Sequence, residues 1–190
     1  MKYAVRVVKL DSETTKNKNK ALKEMLQSGE DFLFLVEENC KVLDPKIYDI
    51  FVATSHKTGI EALMWGRGSI NKRLEFNDDP YIDYFTDFVS SFMLFTRNAV
   101  QKVGLFDEEM PSNTWQELEY AKRIGDAGLS TPFGMFASPK NVDQYFSITT
   151  PKNEFKNLDK MEEGLKYWED KSDEFPINIR NLNKPKFEMI

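Results

Sequence analysis

Five apolar residues follow one another without interruption at Phe32, Leu33, Phe34, Leu35 and Val36. Successive side chains of a strand point to opposite faces, so a strand with one face in water alternates apolar with polar. A run without alternation is a strand covered on both faces, and helices packed on either side of a parallel sheet are what give that pattern. Residues 32–36 therefore predict a central parallel strand.

The flanking segments extend this reading. Residues 3–10 are rich in β-formers and partly alternating, and residues 11–20 hold no apolar side chain until Ala21, which predicts a strand and then a loop. Ala21, Leu22, Met25 and Leu26 form a helical stripe closed by Gly29. Residues 50–53 and 60–65 read as two further strands, the second ended by the turn-prone Gly66-Arg67-Gly68. Residues 77–80 signal a loop, and Tyr81, Tyr84 and Phe85 are apolar anchors just beyond it. Residues 89–96 predict a strand and 98–103 a short helix stopped by Gly104. Thr114 is placed to cap the next helix, which buries Leu118, Ala121 and Ile124 and ends at Gly128. Residues 133–136 read as a last strand. Leu158, Met161, Leu165 and Trp168 describe one more amphipathic helix, with an extended tail after it over 176–190. The alternation of strands with helices predicts a layered α/β fold around a mostly parallel central sheet flanked by helices. Its main domain is expected over residues 1–150, with a charged helix and tail over 151–190 packed on it or on a partner.

Composition narrows the chemistry. In 190 residues, 41% hydrophobic and 30% charged with 15 Phe and 7 Tyr, a folded domain with a true core is expected rather than a disordered chain. A net charge of −5 argues against nucleic acid as a partner, because phosphate contacts need a basic surface. The single cysteine, Cys40, makes no internal disulfide, and the single histidine, His56, supplies no His-rich zinc cluster. No apolar run approaches the ~20 residues of a membrane span, and the first residues lack the features of a signal peptide. The expectation is a cytoplasmic protein without a membrane span.

Three consecutive segments carry a family likeness. Ser90-Ser91-Phe92-Met93-Leu94-Phe95-Thr96-Arg97, then Val103-Gly104-Leu105-Phe106-Asp107-Glu108-Glu109, then residues 115–128 (WQELEYAKRIGDAG), resemble the acceptor-side half of family 2 glycosyltransferases with the GT-A fold. In that family a strand ending in Arg leads to a short helix, to Gly-x-Phe-Asp-Glu, and to a helix that opens with a Glu-Asp pair and closes with Arg and Gly. Gly-Leu-Phe-Asp-Glu alone says little; the ordered combination carries the resemblance, which extends over about residues 17–138.

The resemblance implies a GT-A-like layered fold, reduced in size, and inverting transfer of a sugar from a nucleotide-sugar donor to an acceptor hydroxyl, on a carbohydrate or another acceptor. In the family the second residue of the Glu-Asp pair is the general base. Gln116 stands at the first position and Glu117 at the second. A glutamate is one of the usual general bases. It reaches one methylene further than aspartate, and misplacement by about 1 Å costs on the order of a hundredfold. Thr114 and Glu117 also read as a capping box, a role that can coexist with catalysis. Trp65, Trp115, Gln116 and Arg123 are the candidate substrate contacts. The tryptophans are candidates for stacking on a sugar, with core filling as their alternative, and Arg123 has an i, i+4 ion pair with Glu119 as its alternative.

Family members also carry an Asp-x-Asp at the end of the buried strand, where two carboxylates hold a divalent cation, Mn or Mg, against the leaving diphosphate. Here the strand runs into Val36-Glu37-Glu38-Asn39. One alignment puts Val36 and Glu38 at the Asp positions; a shift by one puts Glu37 and Asn39 there. Glu37 and Glu38 are adjacent and would point to opposite faces unless a turn begins between them. Glu37, Glu38 and Asn39 are the candidate metal ligands.

One departure is larger. The family places two strands and two helices ahead of the helix that resembles residues 21–26, whereas 20 residues precede it here, enough for one strand. No residue takes the part of the base-recognition aspartate. A catalytically degenerate GT-A-like binding or assembly module is therefore the alternative to an enzyme. Missing strands leave an open sheet edge, which proteins cover or pair, so a homo-oligomer or a partner chain is expected there. Gly66-x-Gly68 lacks the third glycine and the helix of a phosphate loop and reads as a turn. His56 reads as an exposed loop residue and Cys40 as an inert thiol. Without a Gly-x-Ser-x-Gly elbow or a second histidine, a serine hydrolase is not expected.

Overall fold

The structure is a computed structural model that describes residues 2–10, 13–66, 79–85, 90–110, 113–130 and 136–149, with 163, 166 and 167, and not the side chains of 113–115. In chain order the elements are β1 (Tyr3–Val8), α1 (Thr14–Ser28), β2 (Phe32–Glu37), β3 (Cys40–Val42), α2 (Lys46–Thr58), β4 (Ala62–Trp65) and β5 (Ile82–Phe85). Next come β6 (Phe92–Thr96), α3 (Arg97–Val103), α4 (Asn113–Asp126), β7 (Phe136–Pro139), a 3-10 turn at Asp143–Tyr145 and β8 (Phe146–Ile148).

The apolar run of β2 does what its pattern requires. Leu33 and Leu35 face a core made with Leu22 and Met25 of α1, Val100 of α3 and Tyr120 and Ile124 of α4. Phe32, Phe34 and Val36 face a second core with Ile47, Phe51 and Val52 of α2. Each such side chain contributes about 1.5–3 kcal/mol on burial. Phe34 meets Tyr48 and Phe92 with ring centroids 4.9 and 5.4 Å apart.

The α/β class is therefore as expected, but the sheet is mixed. Its order is β1-β2-β6-β4. Among the described residues only β1 and β2 pair in parallel, from Tyr3 opposite Phe32 to Val8 opposite Glu37. β6 runs against both neighbours, with Phe92 opposite Val36 and Trp65. Helices on both faces enforce an unbroken apolar run whichever way the adjoining strand points, so the pattern is silent on direction. β3 pairs with β8 and β5 with β7, both antiparallel.

Three further expectations are corrected. The predicted loop over 11–20 is mostly helix, because α1 begins at Thr14. Its inward stripe continues toward the N-terminus as Thr15, Lys18 and Asn19, polar side chains that are nonetheless buried and that an apolar periodicity passes over. The predicted strand over 50–53 lies inside α2, where Ile47, Phe51 and Ser55 recur at helical spacing and the β-branched Ile50 and Val52 mislead. Gly59 ends this helix with φ 74°, its N–H returning to the Ser55 carbonyl at 2.9 Å. His56 thus sits on the last turn of α2, exposed, its ring edge-on to Phe32 at 5.4 Å, and not on a loop.

Strands β2, β4 and β6 and helices α3 and α4 lie where the pattern puts them. The turn after Gly66, residues 77–78 and 133–135, most of the helix predicted around Leu158 to Trp168 and the tail over 176–190 lie outside the described residues. Among the described residues no helix is long and apolar enough to cross a membrane.

Candidate functional site at the carboxyl edge of the sheet

β1, β2 and β4 finish on one edge of the sheet, and β6 starts there. Ser91 ties that edge together, accepting from the Glu37 N–H at 2.9 Å and donating to the Trp65 carbonyl at 2.8 Å. In open α/β sheets ligands bind outside the carboxyl ends of the strands. Here a buried polar cluster occupies that region.

Its centre is Glu117, in the first half of α4. Glu117 Oε1 accepts from Lys18 Nζ at 2.5 Å. Oε2 accepts from Ser90 Oγ at 2.5 Å and from the Ser90 N–H at 3.3 Å. Glu117 is 5% exposed and Lys18 1%. Desolvating two charges is tolerated only when each finds its counter-charge and further donors or acceptors, and Ser90 supplies those donors. α4 begins at Asn113, one residue ahead of the predicted cap Thr114, whose side chain is outside the described set, and the Glu117 carboxylate reaches Lys18 of α1 and Ser90 ahead of β6.

The surrounding bonds lock α1 to the segment between α3 and α4. Gln116 donates to the Met110 carbonyl at 2.9 Å and accepts from the Thr15 hydroxyl. Asn19 clamps Phe106 by two bonds, Nδ2 to the carbonyl at 3.0 Å and the Phe106 N–H to Oδ1 at 2.9 Å, and reaches Glu108 at 2.8 Å. Lys18 Nζ stands 5.6 Å from the centroid of the Phe106 ring. Asn19 thereby fixes the Gly-Leu-Phe-Asp-Glu segment, and Tyr120, whose hydroxyl donates to the Gly104 carbonyl at 2.9 Å, holds its start.

Gln116 and Glu117 thus stand together at the carboxyl edge, next to the strand end that carries Glu37. Glu37 is buried beside Cys40, whose thiol is pushed up to about 12, first by burial and then by the Glu37 charge. A turn does begin at Glu38 and Asn39, and Glu38 Oε1 accepts from the Leu10 N–H at 3.0 Å. Among the described residues no group of three or more His, Cys, Asp or Glu is placed to hold a metal.

Two candidates lie apart from this cluster in what they contact. Trp65 is buried, its Nε1 donating to Asp143 Oδ1 at 2.8 Å and its ring stacked on Phe146 at 3.8 Å. Arg123 pairs with Glu119 at i, i+4 and donates to the Val103 and Leu105 carbonyls, closing the end of α3. Trp115 belongs to α4, and its side chain is outside the described set. Lys18, Asn19 and Ser90 were not foreseen. The signal for the first two is present in the sequence, since Thr15, Lys18, Asn19 and Leu22 share one helical face.

A cleft of about 430 Å³ opens at the opposite edge, between Asp31, Ser55, His56, Glu61 and Arg97. Its principal polar groups hold the fold. Arg97 donates to the carbonyls of Met25, Leu26 and Glu30 at the end of α1, and Glu61 accepts from Thr96 and Asn98.

Neither the known protein families nor the curated proteins include a match to this chain.

Proposed function

We propose that the chain is a glycosyltransferase-like protein that passes a sugar from a nucleotide-sugar donor to an acceptor hydroxyl with inversion, at the carboxyl edge of its sheet. The observation that carries the reading is the position of Glu117, brought by α4 to the start of β6 beside Ser90. The succession β6, α3, the Gly104 to Glu108 segment and α4 supports it, since that is the order the family resemblance implies. A general base must lie within hydrogen-bond reach of the proton it takes. An incoming acceptor hydroxyl therefore displaces Ser90 or Lys18 from the carboxylate. Glu117 receives the hydroxyl proton, the acceptor oxygen attacks the anomeric carbon from the face opposite the diphosphate, and the nucleoside diphosphate leaves. Isothermal titration with UDP- and GDP-sugars, with and without manganese, tests the donor half of this reading. Binding of one donor with a Kd below about 100 µM, roughly −5.5 kcal/mol, is expected, and the absence of heat with every donor contradicts it.

The buried Lys18–Glu117 pair favours a second reading, a binding or assembly module derived from the same scaffold without catalysis. Donor binding without any release of nucleoside diphosphate, in the presence of a broad acceptor panel, selects that module.

A further inference from the structure

The outer edge of β1 carries no strand among the described residues. β1 turns alternate residues toward β2: the Lys2 carbonyl accepts from the Phe32 N–H and the Val8 carbonyl from the Glu38 N–H. Backbone alternation then directs the N–H and C=O groups of Tyr3, Val5 and Val7 away from the sheet. β1 is the end strand of its sheet, and among the described residues the single contact on those outward groups is Arg6 Nη1 with the Val5 carbonyl at 3.2 Å. Proteins blunt such edges with proline, bulges, charged side chains or very short strands. This strand has six residues and no proline, and its one charged side chain, Arg6, is paired with Glu24.

The side chains point to one occupant. Tyr3 is 42% exposed and Val7 70% exposed, two of the few large apolar side chains left outside the core among the described residues. Both project from the face of β1 that carries Val5. An antiparallel register centred on Val5 sets Val5 against Val5 of the second copy, and Tyr3 against its Val7, twice by symmetry. Aromatic and β-branched residues are favourable cross-strand partners, and all three pairs fall at hydrogen-bonded positions that exchange two N–H···O bonds each. On the opposite face Arg6 holds Glu24 at 3.2 Å; on pairing, the Val5 carbonyl exchanges Arg6 Nη1 for the Val5 N–H of the second copy, and Glu24 keeps the Arg6 charge compensated. The two-fold makes both ends of the seam alike: Lys2 and Asp31 of one copy stand there with Lys9 and Glu38 of the other, two lysines with two carboxylates; Asp31 already accepts from the Lys2 N–H and Glu38 from the Leu10 N–H.

We propose that two copies of this chain associate through β1, about a two-fold axis at Val5, into one continuous eight-stranded sheet of order β4-β6-β2-β1-β1-β2-β6-β4. The interface is isologous, as a closed dimer requires, and it is independent of the function proposed above.

Light scattering coupled to size exclusion, on the full chain, is expected to give twice the chain mass of 22.2 kDa. Val7→Lys, at an exposed position that leaves the core intact, is expected to weaken dimerisation at least tenfold with an unchanged circular dichroism spectrum. The register is read by mild oxidation. Val5→Cys is expected to form an intermolecular disulfide, since directly opposite residues have Cα atoms about 5.5 Å apart, within disulfide range. Val7→Cys is not, because the register separates the two copies of residue 7 by four residues. A wild-type monomer at about 100 µM, as when residues beyond 149 of the same chain lie on β1, overturns the proposal. So does a dimer that Val7→Lys leaves intact, or one that cross-links through Val7→Cys as readily as through Val5→Cys.

Discussion

Lys18 Nζ lies 2.5 Å from Glu117 Oε1, and both side chains are shut away from water, at 1% and 6% exposure. Each charge is tolerated there because of the other, and α1 and α4 are joined through them at the edge where the strands end. Removing one partner strands a buried charge, which costs about 3–5 kcal/mol, whereas replacing both with apolar residues of similar volume is often neutral. Lys18→Met alone is expected to lower unfolding stability by about that amount, and Lys18→Met with Glu117→Leu to recover most of it. Urea denaturation of the two single variants and the double variant checks this. Additive losses mean that the pair is not coupled.

Asn19 makes three separate contacts with one side chain, holding the Phe106 backbone in both directions and Glu108. Asn19→Ala leaves the buried Phe106 N–H and carbonyl without those partners, at a cost of about 1–3 kcal/mol for each group left unsatisfied. Hydrogen exchange is expected to accelerate over residues 104–108 more than in β2. Uniform acceleration across the chain shows that Asn19 does not fix this segment locally.

Burial and the neighbouring Glu37 raise the Cys40 thiol to about 12. At pH 8 only about one thiol in ten thousand is then ionised, and the thiolate is the reactive form. Ellman's reagent is expected to leave the folded protein unmodified for hours and to label it at once in denaturant. The linkage has a definite sign. An unfolded thiol ionises near 9.0 and the folded one near 12, so the contribution is fully present below pH 9 and is lost as pH rises from 9 to 12. Cys40→Ala is expected to lessen that alkaline loss, as measured by urea midpoints against pH.

Gly29 closes α1 with φ 88°. A residue with a Cβ is disfavoured in that conformation, so Gly29→Val is expected to lower the thermal midpoint by several degrees, about 1–2 kcal/mol. An unchanged midpoint contradicts a left-handed helix end there.

The parts of this fold that were legible in the sequence are those set by apolar periodicity or glycine. Phe32 to Val36 announced cover on both faces, and Gly104 and Gly128 marked where α3 and α4 stop. What was hidden has identifiable causes. The first half of α1 buries Thr15, Lys18 and Asn19, so its inward stripe is polar and reads as loop. Ile50 and Val52 favour strands locally, and only their packing with Phe51 against β2 makes α2 a helix. The direction of β6 leaves no trace in its composition. Glu117 was named through its place in a family pattern, but its partners stand 99 and 27 residues away, and a distance of that kind is set by tertiary structure alone.

The proposal that Glu117 accepts the acceptor proton is tested most directly by the release of nucleoside diphosphate from UDP- and GDP-sugars in the presence of an acceptor panel. Wild type is compared with Glu117→Gln at a temperature where both are folded. Release by the wild-type chain is expected, with a fall of at least about a hundredfold in the variant and donor affinity retained. Equal release by both proteins would contradict it.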